Sequence, residues 1–145
     1  MTQNPQFDKV AEFNNTFGHA VRTTPTLKPK DVALRTNIFR EEVAEINDAL
    51  GKYYRGETTE DLALVELADA LADTLVTLYG LAQATGIPIT EVFDVVHDSN
   101  MSKAGEDGKP VYFTEGPKAG KVAKGPNFWD PTEKITEVIR KHSDG

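Results

Sequence analysis

Apolar residues recur at helical spacing through most of the chain. Phe7, Val10, Ala11, Phe13 and Phe17 predict a helix from Phe7 to about Ala20. TTPTLKPKD, residues 23–31, is a turn-rich connector with two prolines. Asp31 is the expected N-cap of a second helix reaching about Tyr54. RGETTED breaks the pattern, and Thr58 with Asp61 three residues later has capping-box spacing. A third helix then runs to about Thr85, closed by Gly86 with Pro88 just beyond. A fourth covers roughly Thr90 to Ser102, with Val92, Phe93, Val95 and Val96 inward or at its edge. Residues 103–131 are different: five glycines, four prolines and five lysines exclude a helix there. VYF and KVA are expected to pair as a short hairpin across TEGPKAG. A last short helix spans Thr132 to His142. No other stretch alternates like a strand. The expected class is all-α: four main helices, a Gly/Lys-rich loop and a short final helix, in one domain over residues 1–145.

Composition narrows the chemistry. At 145 residues the chain is long enough for one core without staples. It has no cysteine, which excludes disulfides, thiolate metal sites and cysteine nucleophiles. The N-terminus MTQNPQFDKV lacks a basic segment followed by an apolar one, so no secretory signal is expected. LADTLVTLYGLAQATGI is too short for a membrane span and carries Asp73. A cytoplasmic protein is expected. The net charge of −7 argues against binding a nucleic-acid polymer. It leaves a phosphate substrate open, provided a cation mediates.

FREEVAEINDAL places Glu41, Glu42, Glu45 and Asp48 within eight residues of the second helix. With Glu42 at zero on a helical wheel, Ile46 and Phe39 fall at about 40° and 60°, and Ala49 and Ile38 at about −20° and −40°. Glu42 is bracketed by apolar neighbours, and a lone buried carboxylate is costly unless paired or bound to metal. On the third helix, with Asp73 at zero, Glu66 and Asp69 fall at about 20° and −40°. Leu64, Leu67, Leu71, Leu75 and Leu78 take the opposite side. Asp69 and Asp73, at i and i+4, repel each other. A solvated acidic face is the ordinary explanation of EExxE alone. A second stripe on a nearly apolar helix reverses that weighting. Two such helices packed antiparallel gather five or six carboxylates, a donor set suited to Mg²⁺ or Mn²⁺. A di-iron bundle would want two Glu-x-x-His motifs, and only Asp94-x-x-His97 imitates one.

EExxE (Glu41, Glu42, Glu45), a 20-residue spacer and ExxD (Glu66, Asp69) resemble the all-α NTP pyrophosphohydrolase superfamily. That superfamily includes MazG, dimeric dUTPases and phosphoribosyl-ATP pyrophosphohydrolase. DALADTLVTLYGLAQATGI, VHDSNMSK and EDGKPVYF…GKVAKGPNFWDP resemble its MazG-like, phosphoribosyl-ATP-pyrophosphohydrolase-like branch of bacteria and phages. The likeness covers about Phe7 to Pro131. It implies a helical bundle, usually active as a dimer. It also implies Mg²⁺-dependent hydrolysis between the α- and β-phosphates of a nucleoside triphosphate. Glu42 and Glu45 match the family's metal-binding glutamates, and Glu41 is the candidate to orient or deprotonate the attacking water. Spacing from the first motif makes Glu66 and Asp69 the ExxD pair, whereas distance to Tyr79-Gly80 favours Asp73. Asp73 plus one of the other two is the expected direct ligand set.

Other expectations follow from position. Arg35 lies at about 20°, two turns before Glu42 on the same face, placed for phosphate or for an ion pair with a carboxylate. Asn100 and Lys103 match the family's Asn…Lys in SNMSK. Lys121 and Lys124, with Lys109 and Lys118, make the loop a candidate lid over a triphosphate, or an arm reaching across a dimer. Tyr79 reads as a core residue, His97 as a helix-edge histidine and Trp129 as a packing anchor. The expected function is removal of surplus or damaged (d)NTPs by a homodimer or dimer of dimers. The rivals are a dUTP-preferring diphosphatase, a phosphoribosyl-ATP pyrophosphohydrolase, and a catalytically silent nucleotide-binding helical dimer.

Overall fold

The computed structural model describes residues 3–144; residues 1, 2 and 145, the ends of the expected domain, lie outside them. Among the described residues there are five helices: α1 Pro5–Thr16, α2 Pro29–Tyr54, α3 Glu60–Thr85, α4 Ile89–Met101 and α5 Thr132–Ser143. Among the described residues the only β pairing is a single antiparallel bridge between Tyr112 and Val122. The class is all-α, with four main helices and a short last one. Among the described residues no helix is long and apolar enough to cross a membrane. The described residues form two compact units, 3–88 and 89–144.

In unit 3–88, α1 starts where Pro5 follows Asn4, whose side chain accepts from the Phe7 amide at 3.1 Å. It stops at Thr16, short of Ala20, because Gly18 turns at φ +73°. Asp31 does not cap α2. That helix begins two residues earlier at Pro29, and Asp31 sits in its first turn, bonded to Arg22 at 2.6 Å. Thr59 rather than Thr58 caps α3, accepting from the Leu62 amide. Gly86 ends α3 in the left-handed conformation, as the sequence expects.

α2 and α3 form the largest helix pair and run antiparallel: Lys52 meets Glu66 near one end, and Arg35 lies against Gly80 near the other. The seam has a seven-residue period on both helices. Arg35, Glu42 and Ala49 lie along α2, and Ala63, Ala70, Thr77 and Ala84 along α3. Alanine, threonine and glycine on α3 let the backbones approach, so a long side chain from α2 can lie in the contact. The consequence for the leucines is marked. Leu64, Leu71, Leu75 and Leu78 lie on the far side and stay 38–56% exposed.

In unit 89–144, α4 and α5 pack together, and Glu91 accepts from or shares a proton with His142 at 2.8 Å. Trp129 anchors the loop: its carbonyl accepts from Ser99 Oγ and its amide donates to Ser102 Oγ. The expected VYF–KVA hairpin is reduced to the Tyr112–Val122 bridge, flanked by Phe113–Lys121 and Ala123–Val111 main-chain bonds.

Candidate metal and phosphate site

Glu42, Glu45 and Asp73 each offer a carboxylate oxygen within 4.8 Å of the others. The helical geometry explains this. Glu42 and Glu45 are one turn apart on α2, and Asp73 borders the small-residue seam of α3 directly opposite. Glu42 is the inward member. Its Oε2 is buried and has no hydrogen-bond partner. Burial pushes the Glu42 carboxyl above its ordinary range, and the charges of Glu45, Asp73 and Glu41 push it further. An orphaned carboxylate oxygen facing two more carboxylates is unfavourable as it stands. It fits a hard divalent cation, whose preferred ligands are oxygens. This acidic cluster is able to coordinate a divalent metal such as Mg²⁺.

The other expected site residues are distributed around it. Asp73 is the α3 acid that joins the cluster. Glu66 and Asp69 line a neighbouring cleft of about 240 Å³ with Glu45, Asp48 and Lys52, and Lys52 approaches Glu66 at 3.8 Å. Glu41 is exposed and stays outside the three-carboxylate group, though its charge reaches Glu42. Arg35 is 7% exposed and lines a cavity of about 300 Å³ together with Asn14, His19, Glu42 and Asp73. Among the described residues it has no carboxylate within ion-pairing distance, so the ion-pair alternative for Arg35 does not occur. Burial lowers its basicity while Asp31 partly restores it.

Asn14, which lines this cavity, and Gln83 behind it escaped the sequence reading. Asn14 accepts from Arg35 Nη2 at 3.2 Å and donates to Gln83 at 2.9 Å. Both amides are 1% exposed, the largest fully buried side chains among the described residues. Asn14 lies one turn after Val10, the buried apolar residue of α1, and that position on the inward stripe was the available signal.

In the second unit, Lys103 donates to Asn100 Oδ1 at 2.9 Å. Lys103, Lys118, Lys121 and Lys124 border one cleft of about 520 Å³ with Phe113 and Val122. Lys118 also lies over the Phe113 ring, and Lys124 over Phe128. Tyr79 packs edge-on against Phe7, and its hydroxyl accepts from Asn4, as befits a core tyrosine.

Comparison with known proteins agrees with this architecture. The profile of the phosphoribosyl-ATP pyrophosphohydrolase family matches residues 10–100, more than half of the chain and all of the acidic cluster. An uncharacterised protein of Acanthamoeba polyphaga mimivirus is 36% identical over 86 residues, spanning 56% of this chain and 31% of the viral protein. A crystallised protein from Exiguobacterium sp. 255-15, described provisionally as an NTP pyrophosphohydrolase, shares the fold with a TM-score of 0.56. That similarity covers 99% of this chain and 98% of the other at 24% identity. The chain therefore belongs to the phosphoribosyl-ATP pyrophosphohydrolase family, within the all-α, MazG-like NTP pyrophosphohydrolase superfamily.

Proposed function

We propose that the protein is a Mg²⁺-dependent nucleoside triphosphate pyrophosphohydrolase. It cleaves between the α- and β-phosphates of (d)NTPs, giving a nucleoside monophosphate and pyrophosphate, and serves to clear surplus or damaged nucleotides. The observation that carries this reading is the buried, unsatisfied Oε2 of Glu42, whose carboxylate faces Glu45 and Asp73 in a cavity that also holds Arg35.

Glu42, Glu45 and Asp73 are the proposed metal ligands. Glu66 and Asp69, in the adjoining cleft with Glu45, are proposed to take a further ion or its water shell. When bound, Mg²⁺ supplies neutralisation of phosphate oxygens and Lewis-acid polarisation. Mn²⁺ has the same oxygen preference and is the expected substitute. Arg35 binds a phosphate oxygen through guanidinium donors not used by Asn14. Water attacks the α-phosphorus as the bond to the bridging oxygen of the β-phosphate breaks. Glu41, exposed beside Glu42, orients that water and takes its proton. Asn100, Lys103, Lys121 and Lys124 are proposed substrate contacts, the lysines acting on the phosphate chain. The half-exposed leucines of α3 are the proposed homodimer surface, within a dimer or dimer of dimers.

Phosphoribosyl-ATP is the second reading, favoured by the name of the matching family. The testing experiment is pyrophosphate release from a panel of NTPs, dNTPs including dUTP, and phosphoribosyl-ATP. It is run with Mg²⁺, Mn²⁺ or EDTA, beside Glu42→Gln. Metal-dependent release abolished in Glu42→Gln is the expected result, and the best substrate assigns the specificity. Release from phosphoribosyl-ATP alone would replace the first reading by the second. No release from any of them, by a folded protein, would leave the silent nucleotide-binding dimer.

A further inference from the structure

A buried arginine normally finds a carboxylate, because burying an isolated positive charge is costly. Arg35 does not. Its hydrogen-bond partner is the neutral amide of Asn14, although its cavity is lined by Glu42 and Asp73. The contact is the first of a chain. Arg35 Nη2 donates to Asn14 Oδ1, Asn14 Nδ2 donates to Gln83 Oε1, and Gln83 Nε2 donates to the Phe7 carbonyl at 2.9 Å.

Donor and acceptor rules fix this chain in one direction. A guanidinium can only donate, so Asn14 must present its oxygen. Its NH₂ group then faces Gln83, which must present its own oxygen, leaving the Gln83 NH₂ group for a carbonyl. The Phe7 carbonyl is the acceptor that closes the series. Reversing either amide would set two donors or two acceptors against each other in a buried place. Each of the three helices contributes one member: Asn14 from α1, Arg35 from α2 and Gln83 from α3. Gly80 adds a wall, since a Cβ there would lie 3.7 Å from both Arg35 Nη1 and Asn14 Nδ2.

We propose that Asn14 and Gln83 are positioning residues that hold the Arg35 guanidinium toward the acidic cavity with its charge uncancelled, ready for a phosphate oxygen. This rests on the pyrophosphohydrolase reading for the identity of the anion. A carboxylate at position 14 would still accept from Arg35, but would neutralise it and set an acceptor against Gln83 Oε1. A neutral amide holds the geometry and leaves the positive charge for an incoming anion. Among the described residues the remaining guanidinium donors have no hydrogen-bond partner, which leaves them to that anion.

The test compares wild type, Asn14→Asp and Gln83→Met by calorimetric titration with inorganic pyrophosphate in Mg²⁺, and by steady-state kinetics on the best nucleotide. Asn14→Asp is expected to weaken pyrophosphate binding and raise KM by roughly tenfold or more, with kcat changed far less. Gln83→Met, which removes the amide that orients Asn14, is expected to move KM in the same direction by a smaller factor. It carries the test if Asn14→Asp does not fold. Unchanged pyrophosphate affinity and KM in a folded variant, whatever its thermal stability, would reduce the chain of amides to a structural role and overturn the proposal. Wild type that turns over nucleotides while the variants keep its KM defeats the positioning role and leaves the reaction standing. Wild type that turns over none, yet binds pyrophosphate more tightly than Asn14→Asp, defeats the reaction and leaves the positioning role standing. Wild type that does not bind pyrophosphate with Mg²⁺ overturns both.

Discussion

The carboxylates of Glu42 on α2 and Asp73 on α3 bring oxygens within 4.8 Å of each other across a seam of small side chains. One oxygen of Glu42 is buried there with nothing to bond it. Two like charges held this close in a partly desolvated place raise the energy of the metal-free fold.

Glu42→Gln should relieve that cost. The metal-free variant is expected to be as stable as wild type or more stable by about 1–2 kcal/mol, the range for removing an uncompensated buried charge. Its Mg²⁺-induced rise in melting temperature should vanish. Calorimetry with and without Mg²⁺ reads both effects, and a wild-type Mg²⁺ response in the variant would remove Glu42 from the metal site.

A pH effect follows from the same carboxyl. Its folded pKa is raised above the unfolded value, chiefly by burial. Between the two values the folded chain holds more protons than the unfolded chain, so stability falls as pH rises through that window. Metal-free protein should therefore gain stability as pH is lowered from neutrality toward the ordinary carboxylate range. Glu42→Gln should flatten that slope, and chemical denaturation at a series of pH values measures it.

Glu91 behaves in the opposite sense. Its hydrogen bond with His142 is the largest cause holding its carboxyl below the ordinary value, against opposition from burial. The stability it contributes is present above the unfolded pKa and is lost as pH falls through the folded one. Glu91→Gln should cost about 0.5–1 kcal/mol and loosen α5, seen as faster amide exchange in residues 132–143. Unchanged exchange there would mean that apolar packing alone docks α5.

The three acids of α3 should separate under mutation. Asp73→Asn is expected to weaken Mg²⁺ binding by roughly tenfold or more, the effect of losing one charged ligand. Asp69→Asn and Glu66→Gln should change it less, because those side chains line the adjoining cleft with Lys52. Isothermal titration with Mg²⁺ ranks them, and an equal loss at Asp69 would move the site toward that cleft.

Two glycines of α3 and its end predict opposite outcomes. Gly86 sits at φ +67°, and a Cβ there would collide with the Thr24 carbonyl, so Gly86→Ala should destabilise by about 1–3 kcal/mol. At Gly80 a Cβ meets only ordinary contacts, so Gly80→Ala should stabilise by about 0.5–1 kcal/mol. Thermal melts of the two variants check the signs.

Periodicity by itself determined the helices, because apolar positions repeating every 3.6 residues fall on one face only in a helix. It also identified Glu42 as an inward acid, since that property belongs to one helix and needs no partner. Helix starts were less legible. Pro29 begins α2 ahead of Asp31 and Thr59 caps in place of Thr58, because neighbouring residues offer nearly equal caps and the tertiary contacts choose between them. Helical spacing did not say which α3 acid meets Glu42; only the distance to Tyr79-Gly80 in the family likeness favoured Asp73. Glu66, Asp69 and Asp73 share one stripe, and only the register of α3 against α2 brings Asp73 opposite. The amide chain from Arg35 through Asn14 to Gln83 was hidden. Arg35 and Asn14 stand on inward faces of their own helices, but nothing in the spacing of Asn14, Arg35 and Gln83 says that they bond to one another. They become a buried network only when three separate helices close on one another, since hydrogen-bond partners are fixed by proximity in space and not by spacing along the chain.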